Sequence, residues 1–156
     1  MEHGSDAIFT VGHDDLDNLT RYMNEEIEET GALRKCRCFT GGWTLQELIA
    51  PEAVTFFDRS WNYLFEKDRS TARVLSSVTG INADLLSGAR KPTSFSIAQR
   101  MYWASQRSTT RVEDEAYSLL GLFGINLPLL YGEGQRAFRR LQEAIISASD
   151  DISIFA

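Results

Sequence analysis

Apolar residues recur at intervals of three and four along most of the chain, the spacing that places them on one face of a helix. In the helix predicted over residues 96–105, Ile97 and Met101 lie on such an apolar stripe. A helix of about two turns is predicted to begin at Thr44 and to end before Pro51. The other predicted helices cover residues 14–30, 70–78, 82–87, 113–123 and 133–147.

The sequence also carries signals for where several of these helices begin and end. Three segments with Ser or Thr followed three residues later by Glu or Gln predict capping boxes, in which both side chains satisfy backbone N–H groups of the first helical turn. These segments are Thr44–Glu47, Ser96–Gln99 and Thr110–Glu113. Gly80 and Gly124 are predicted to end the helices that precede them, because glycine accepts the left-handed backbone of a helix end.

Strand-forming residues are concentrated in two neighbouring segments, Ala53–Asp58 and Trp61–Lys67. Their proximity predicts a β-hairpin over residues 53–66. Residues 1–13 show no regular pattern and are expected to be loose. The sequence therefore predicts an α+β fold that is predominantly helical and contains one short hairpin.

Composition and charge exclude several classes of protein. Of the 156 residues, 43% are hydrophobic and 24% are charged, values typical of a folded domain. Residues 1–35 contain nine acidic and three basic residues, so the whole net charge of −6 lies there and the remainder is neutral. A neutral remainder lacks the basic face that nucleic-acid binding requires. The sequence shows no signal peptide and no apolar run of about 18 residues, so we expect no membrane span and a cytoplasmic location.

The two cysteines, Cys36 and Cys38, are close enough in sequence to suggest a metal site. The two histidines, His3 and His13, are in the segment expected to be loose, so a complete tetrahedral set of zinc ligands is not evident. We therefore predict no metal, and we interpret both thiols as small buried hydrophobes.

Glu47 has two interpretations. As the last residue of the Thr44–Glu47 capping box, it closes the start of a helix. As a carboxylate close to Trp43, it could face a pocket, where a carboxylate beside an aromatic ring suits the chemistry of sugars and nucleosides.

Charged residues cluster between the helices predicted over 96–105 and 113–123. We expect the three arginines and two acids of this cluster to interlock as a structural ionic cluster, since buried charges must be paired. The rival interpretation is an anion- or nucleotide-binding site at the helix start near Thr110. The cluster consists of Arg100, Arg107, Arg111, Glu113 and Asp114.

From about residue 36 to the end, the sequence resembles a known family. The string Gly42-Trp-Thr-Leu-Gln-Glu-Leu-Ile-Ala-Pro51 resembles the end of the fungal heterokaryon-incompatibility (HET) domain. Further segments resemble the region that follows this domain: Ala98–Ser105, Thr109–Phe123, Pro128–Gly134 and Ala137-Phe138. Gly41 stands where the family usually has arginine, and Cys38 stands where it usually has an aromatic residue.

The resemblance suggests a division of the chain. Residues 1–35 form an acidic segment that does not match the first half of the HET domain. Residues 36–66 resemble the end of that domain, and residues 67–156 resemble its helical extension. We therefore expect a remnant of the family's flavodoxin-like α/β fold, which is similar to that of Toll/interleukin-1 receptor (TIR) domains.

The resemblance implies a role in heterokaryon incompatibility, that is, in non-self recognition and programmed cell death. It suggests a non-catalytic fragment without a cofactor, because the front half of the HET domain is not recognised. The alternative is an NAD glycohydrolase, since Trp43-Thr-Leu-Gln-Glu-Leu48 is similar to a Trp-Cys-Leu-x-Glu-Leu motif of NAD-cleaving TIR domains. Glu47 then falls on the catalytic position, Trp43 lines the site and NAD is the substrate. We also expect a protein partner or self-association to cover exposed apolar surface.

Overall fold

A computed structural model describes residues 7–11, 37–58, 61–151 and 153. These residues fall into two compact units. The first unit contains the described residues up to Thr40 together with Glu47–Arg90. The second contains Gly41–Gln46 together with the described residues from Lys91 onwards. The helix predicted over residues 14–30 lies outside the described residues.

The described part of the first unit contains a sheet with the strand order β1-β2-β3. Strands β2 and β3 are antiparallel, with Phe56 opposite Phe65, which confirms the predicted hairpin. Strand β1 pairs in parallel with β2, with Ala7 opposite Val54. The expectation that residues 1–13 are loose is therefore wrong for β1, because its pairing partner lies far along the chain where a local pattern cannot reveal it. The strands are β1 (Ala7–Val11), β2 (Val54–Asp58) and β3 (Tyr63–Glu66).

Aromatic rings form the centre of the first unit. The rings of Phe56 and Phe65 stack with centroids 4.4 Å apart, and Phe39 lies 5.9 Å from Phe56. Phe39 and Cys38 are buried on the short helix α1 (Arg37–Thr40). The burial of Cys38 agrees with its interpretation as a small hydrophobe, whereas Cys36 lies outside the described residues.

Three further helices follow in chain order, α2 (Thr44–Ile49), α3 (Ala72–Thr79) and α4 (Ala83–Leu86). Helix α2 ends before Pro51, as predicted. Helix α3 ends at Gly80, whose φ of 71° confirms the predicted left-handed helix end. Both helix ends could be predicted because each depends on residues within one or two helical turns.

Lys67 is a buried cation that fastens two carbonyl groups of the first unit. Its side chain is 7% exposed, and its Nζ donates to the carbonyl oxygens of Leu48 at 2.9 Å and Pro51 at 2.6 Å. Burial lowers the pKa of Lys67, because removal from water disfavours the charged form. The ammonium group thus holds the carboxyl end of α2, where a helix favours positive charge.

The second unit is helical. Its longest helices, α5 and α8, agree with the helices predicted over 96–105 and 133–147. Helix α5 begins with the predicted capping box of Ser96 and Gln99, and Gly124 ends α7 with a φ of 66°. The elements are a 3₁₀ turn (Pro92–Ser94), α5 (Ile97–Ser105), α6 (Asp114–Tyr117), α7 (Leu120–Phe123) and α8 (Arg136–Ala148).

The single helix predicted over residues 113–123 is instead divided into α6 and α7. Around the break, the backbone N–H of Leu119 donates to Ala116, a tighter turn than that of an α-helix. The carbonyl oxygen of Ser118 accepts a hydrogen bond from the side-chain amide of Gln46. This tertiary contact gives a carbonyl group inside the predicted helix a partner that the local sequence does not reveal.

Helices combined with a small sheet make the fold α+β, which confirms the predicted class. In the described ranges, no helix has both the length and the apolar character needed to cross a membrane. The division into residues 1–35, 36–66 and 67–156 depends on the family resemblance and stays a prediction.

Candidate functional site

Trp43 and Glu47, the two residues predicted to bind and cleave NAD, are both exposed to solvent. Trp43 precedes α2 and is 43% exposed. Glu47 is an exposed residue of α2. The Thr44 hydroxyl donates to the carbonyl oxygen of Gly41 at 2.7 Å and accepts a hydrogen bond from Arg107 at 3.0 Å. Helix α2 begins at Thr44 itself, so Thr44 is its first residue rather than a cap that precedes it. The catalytic role of Glu47 stays a prediction.

Two arginines of the predicted ionic cluster hold backbone carbonyl groups at separate places in the second unit. Arg107 donates from one terminal nitrogen to the carbonyl oxygen of Gly41 at 3.0 Å. Arg100 donates to the carbonyl oxygen of Leu122 at 3.2 Å, and its guanidinium lies 4.7 Å from the centre of the Phe123 ring. Both arginines thus fasten segments that are distant in sequence.

The other three residues of the predicted cluster lie around one turn, Tyr131–Gly134. The guanidinium of Arg111 lies over the Tyr131 ring, 5.0 Å from its centre. The Tyr131 hydroxyl donates to Asp114 at 2.9 Å. Glu113 is 9% exposed, and its Oε1 accepts the backbone N–H groups of both glycines of this turn, Gly132 at 2.8 Å and Gly134 at 3.0 Å.

Hydrogen bonds determine the acidity of Glu113. Its own backbone N–H, followed by those of Gly134 and Gly132, stabilises the ionised carboxylate and lowers the pKa of Glu113. The predicted capping box of Thr110 and Glu113 is absent from α6, because this carboxylate is bound to the turn. The two glycines have positive φ values of 101° and 57°, which glycine adopts more readily than any other residue.

A second set of side chains supports the same turn, and sequence reasoning missed it. The buried Tyr117 donates its hydroxyl to Glu133 at 2.7 Å and accepts the backbone N–H of Leu130 at 2.8 Å. Arg140 forms an ion pair with Glu133. The available signal was a tyrosine inside a predicted helix, because a hydroxyl that becomes buried needs a hydrogen-bond partner.

The described end of the chain caps helix α5. Asp151 accepts the backbone N–H of Ile97 at 2.9 Å, and Ser153 accepts that of Ala98 at 3.1 Å. With the Ser96 hydroxyl accepting the backbone N–H of Gln99, three consecutive donors of the first turn are satisfied.

A cleft of about 400 Å³ lies within the second unit. Its wall combines apolar side chains with hydroxyl groups and two opposite charges, Arg107 and Glu115. Glu47, which belongs to the first unit, is not among the described residues that line it. The lining residues are Gly42, Leu45, Met101, Ala104, Ser105, Arg107, Thr109, Glu115, Ser118, Leu119 and Phe138.

Comparison with known proteins identifies a relative. Over 116 residues, the chain is 51% identical to the vegetative incompatibility protein HET-E-1 of Podospora anserina. This chain is a relative of a heterokaryon incompatibility protein. The matched segment covers 73% of the chain and 8% of HET-E-1, so the chain corresponds to a small part of that protein's length. No family model and no solved structure matches the chain.

Proposed function

We propose that this chain takes part in fungal heterokaryon incompatibility, where non-self recognition is coupled to programmed cell death. The observation that carries the proposal is the 51% identity to HET-E-1 over 116 residues. Identity at this level across most of the chain supports descent from a common ancestor. We further propose that the chain acts in the cytoplasm, by binding a protein partner or a second copy of itself, and without catalysis.

The uses of its charged side chains support a non-catalytic role. The carboxylates of Glu113, Asp114 and Glu133 hold the Tyr131–Gly134 turn and its surroundings. Next to this turn, the consecutive apolar residues Leu129 and Leu130 are each 51% exposed. Exposed apolar side chains beside a firmly held turn suit the binding of another protein.

Expression of the chain in fungal hyphae tests the proposed role in cell death. Induction should increase the number of cells that take up a vital dye. The double substitution Leu129→Ser and Leu130→Ser should abolish the increase, whereas Ile146→Ser, at another exposed apolar residue, should retain it. Normal viability at a high level of folded chain would contradict the proposal. Size-exclusion chromatography of both variants measures whether the chain associates with itself, which distinguishes self-association from binding to a host protein.

The alternative function is a TIR-like NAD glycohydrolase with Glu47 as the catalytic residue. Its support is the exposure of Glu47 and Trp43, which lets each meet a molecule from solvent. The parallel pairing of β1 with β2 also suits a remnant of a TIR-like α/β sheet, because parallel strands are typical of α/β folds. In this alternative, Glu47 stabilises the positive charge that develops on the ribose as the nicotinamide leaves.

Nicotinamide release from NAD tests this alternative directly. The parent chain should release nicotinamide, Glu47→Ala and Glu47→Gln should not, and Glu52→Gln should remain active as a control at a neighbouring exposed glutamate. Circular dichroism establishes that all variants are folded. Absence of release by the folded parent would exclude the alternative and leave the non-catalytic proposal intact.

A further inference from the structure

We propose that the cleft of the second unit binds a small organic amine, which has an apolar body and a primary ammonium group. A volume of about 400 Å³ is within the range of small-molecule sites in proteins, roughly 300–1,000 Å³. Such sites combine an apolar lining with a few polar groups that fix the ligand's orientation. Binding of this kind goes beyond the proposed role in incompatibility and does not depend on it.

Apolar side chains from several helices provide a place for the body of the ligand. They include Met101 and Ala104 from α5, Leu119 from the segment between α6 and α7, and Phe138 from α8. Leu45 adds a fully buried side chain. An aliphatic or aromatic group of moderate size can be removed from water against these side chains, which is the main source of affinity in such a cleft.

A buried hydroxyl group lines the same cleft. Ser118 is 1% exposed, and a β-carbon added to Gly42, on the same wall, would lie 3.3 Å from its Oγ. The hydrogen bonds of Ser118 to other described residues involve its backbone: its N–H donates to Asp114, and its carbonyl oxygen accepts from Gln46. Since buried polar groups are normally hydrogen-bonded, this hydroxyl group is suited to a polar group of the ligand.

Two further hydroxyl groups of the cleft act as hydrogen-bond acceptors. Ser105 donates its hydroxyl hydrogen to the carbonyl oxygen of Tyr102 at 2.8 Å. Thr109 donates its hydroxyl hydrogen to the carbonyl oxygen of Arg111 at 2.6 Å. A hydroxyl has one hydrogen, so both oxygens offer a ligand lone pairs rather than a donor. An ammonium group has three donors and no acceptor, which suits such a wall.

Glu115 supplies the charge that favours an ammonium group over a neutral donor. It is exposed, lines the cleft and lies three residues before Ser118 on the same helical turn. Side chains at this spacing begin about 5–6 Å apart, so one ammonium group between them can donate to both. The positive charge of the wall, on Arg107, is directed at the carbonyl oxygen of Gly41 and the hydroxyl of Thr44, both at 3.0 Å. We therefore expect a ligand to meet the carboxylate of Glu115.

Isothermal titration calorimetry with three matched probes tests the proposal. On the same phenylethyl body, phenethylamine carries an ammonium group, 2-phenylethanol a neutral hydroxyl group and 3-phenylpropionate a carboxylate. Phenethylamine should bind at least about tenfold more tightly than the other two, because a hydrogen bond between charged groups is stronger than a neutral one. Equal affinities of phenethylamine and 2-phenylethanol, tighter binding of 3-phenylpropionate, or no binding of phenethylamine at millimolar concentration would overturn the proposal.

Two substitutions locate the binding in the cleft. Glu115→Gln should weaken the binding of phenethylamine by about tenfold and leave that of 2-phenylethanol unchanged, since only the amine is charged. Ala104→Leu should fill the cleft and abolish the binding of phenethylamine, with circular dichroism as the check on folding. Glu143→Gln, at an exposed glutamate of α8, is the control and should bind like the parent. Unchanged binding of phenethylamine by folded Glu115→Gln and Ala104→Leu variants would place the ligand elsewhere and overturn the proposal.

Discussion

The Oε1 oxygen of Glu113 lies 2.8 Å from the backbone nitrogen of Gly132, 19 residues later in the chain, and accepts its N–H. The same oxygen accepts the N–H of Gly134 at 3.0 Å. A single carboxylate thus joins the start of α6 to the turn that precedes α8. It gives two backbone N–H groups a negatively charged acceptor within the protein, so neither group depends on water for a hydrogen bond.

Substitution Glu113→Gln should destabilise the chain at neutral pH and have little effect in acid. The folded state lowers the pKa of Glu113, so its stabilisation is complete above the unfolded-state pKa of about 4.3 and disappears as the pH falls through the lower folded-state value. Urea unfolding of both proteins from about pH 7 to about pH 2 measures this difference.

The same experiment contains its own control for other carboxylates. Asp68 and Asp151 also have lowered pKa values, but they are present in both proteins and cancel in the comparison. A difference in unfolding free energy that persists undiminished at the lowest pH would show that the charge of Glu113 is not what holds the turn.

Substitution Lys67→Met should destabilise the first unit by about 1–3 kcal/mol, because two carbonyl oxygens lose their donor in a buried place. Since burial lowers the folded-state pKa of Lys67, the unfolded state binds more protons between that value and about pH 10.4, and the parent's stability should rise with pH across this interval. The variant should lack that contribution. Denaturation at a series of alkaline pH values measures both effects.

Lys91→Met provides the comparison for Lys67→Met, because Lys91 is exposed. It should change stability by less than about 0.5 kcal/mol. Equal destabilisation by the two substitutions would mean that the contacts of Lys67 with Leu48 and Pro51 contribute nothing specific.

The features that could be predicted from the sequence are those decided within a few residues. The capping box of Ser96 and Gln99 and the helix end at Gly80 depend on backbone groups one turn away. The same Ser/Thr-x-x-Glu pattern failed at Thr44 and at Glu113, because distant groups engage these side chains. Arg107 donates to the Thr44 hydroxyl, and the Tyr131–Gly134 turn occupies the Glu113 carboxylate.

The candidate site, too, depends on contacts between segments that are distant in the sequence, which local patterns do not reveal. A sequence can suggest that Arg107 and Glu115 are near each other, but a cleft depends on which helices pack around them. The part of Phe138 in the cleft wall, for example, depends on where α8 packs. The parallel pairing of β1 with β2 likewise connects segments more than forty residues apart in sequence.

Substitution Ser96→Ala should destabilise the second unit by about 0.5–2 kcal/mol, the usual cost of losing a helix N-cap. The Ser96 hydroxyl accepts the backbone N–H of Gln99 at 3.2 Å, and alanine cannot replace this acceptor. Ser96→Thr keeps a hydroxyl and should retain most of the stability. Thermal unfolding followed by circular dichroism distinguishes the two, and equal losses for both variants would assign the effect to packing instead of capping.

Substitution Gly42→Ala should destabilise the chain by about 1–3 kcal/mol, because a β-carbon at this position would overlap the Cγ2 methyl of Thr109 and lie 3.3 Å from the Ser118 hydroxyl. Thr109→Ser removes that methyl and keeps the hydroxyl that donates to Arg111. In the Thr109→Ser background, Gly42→Ala should therefore cost much less. A double-mutant cycle measured by urea unfolding gives the coupling energy directly. Additive effects of the two substitutions would show that the methyl of Thr109 is not what requires glycine at position 42.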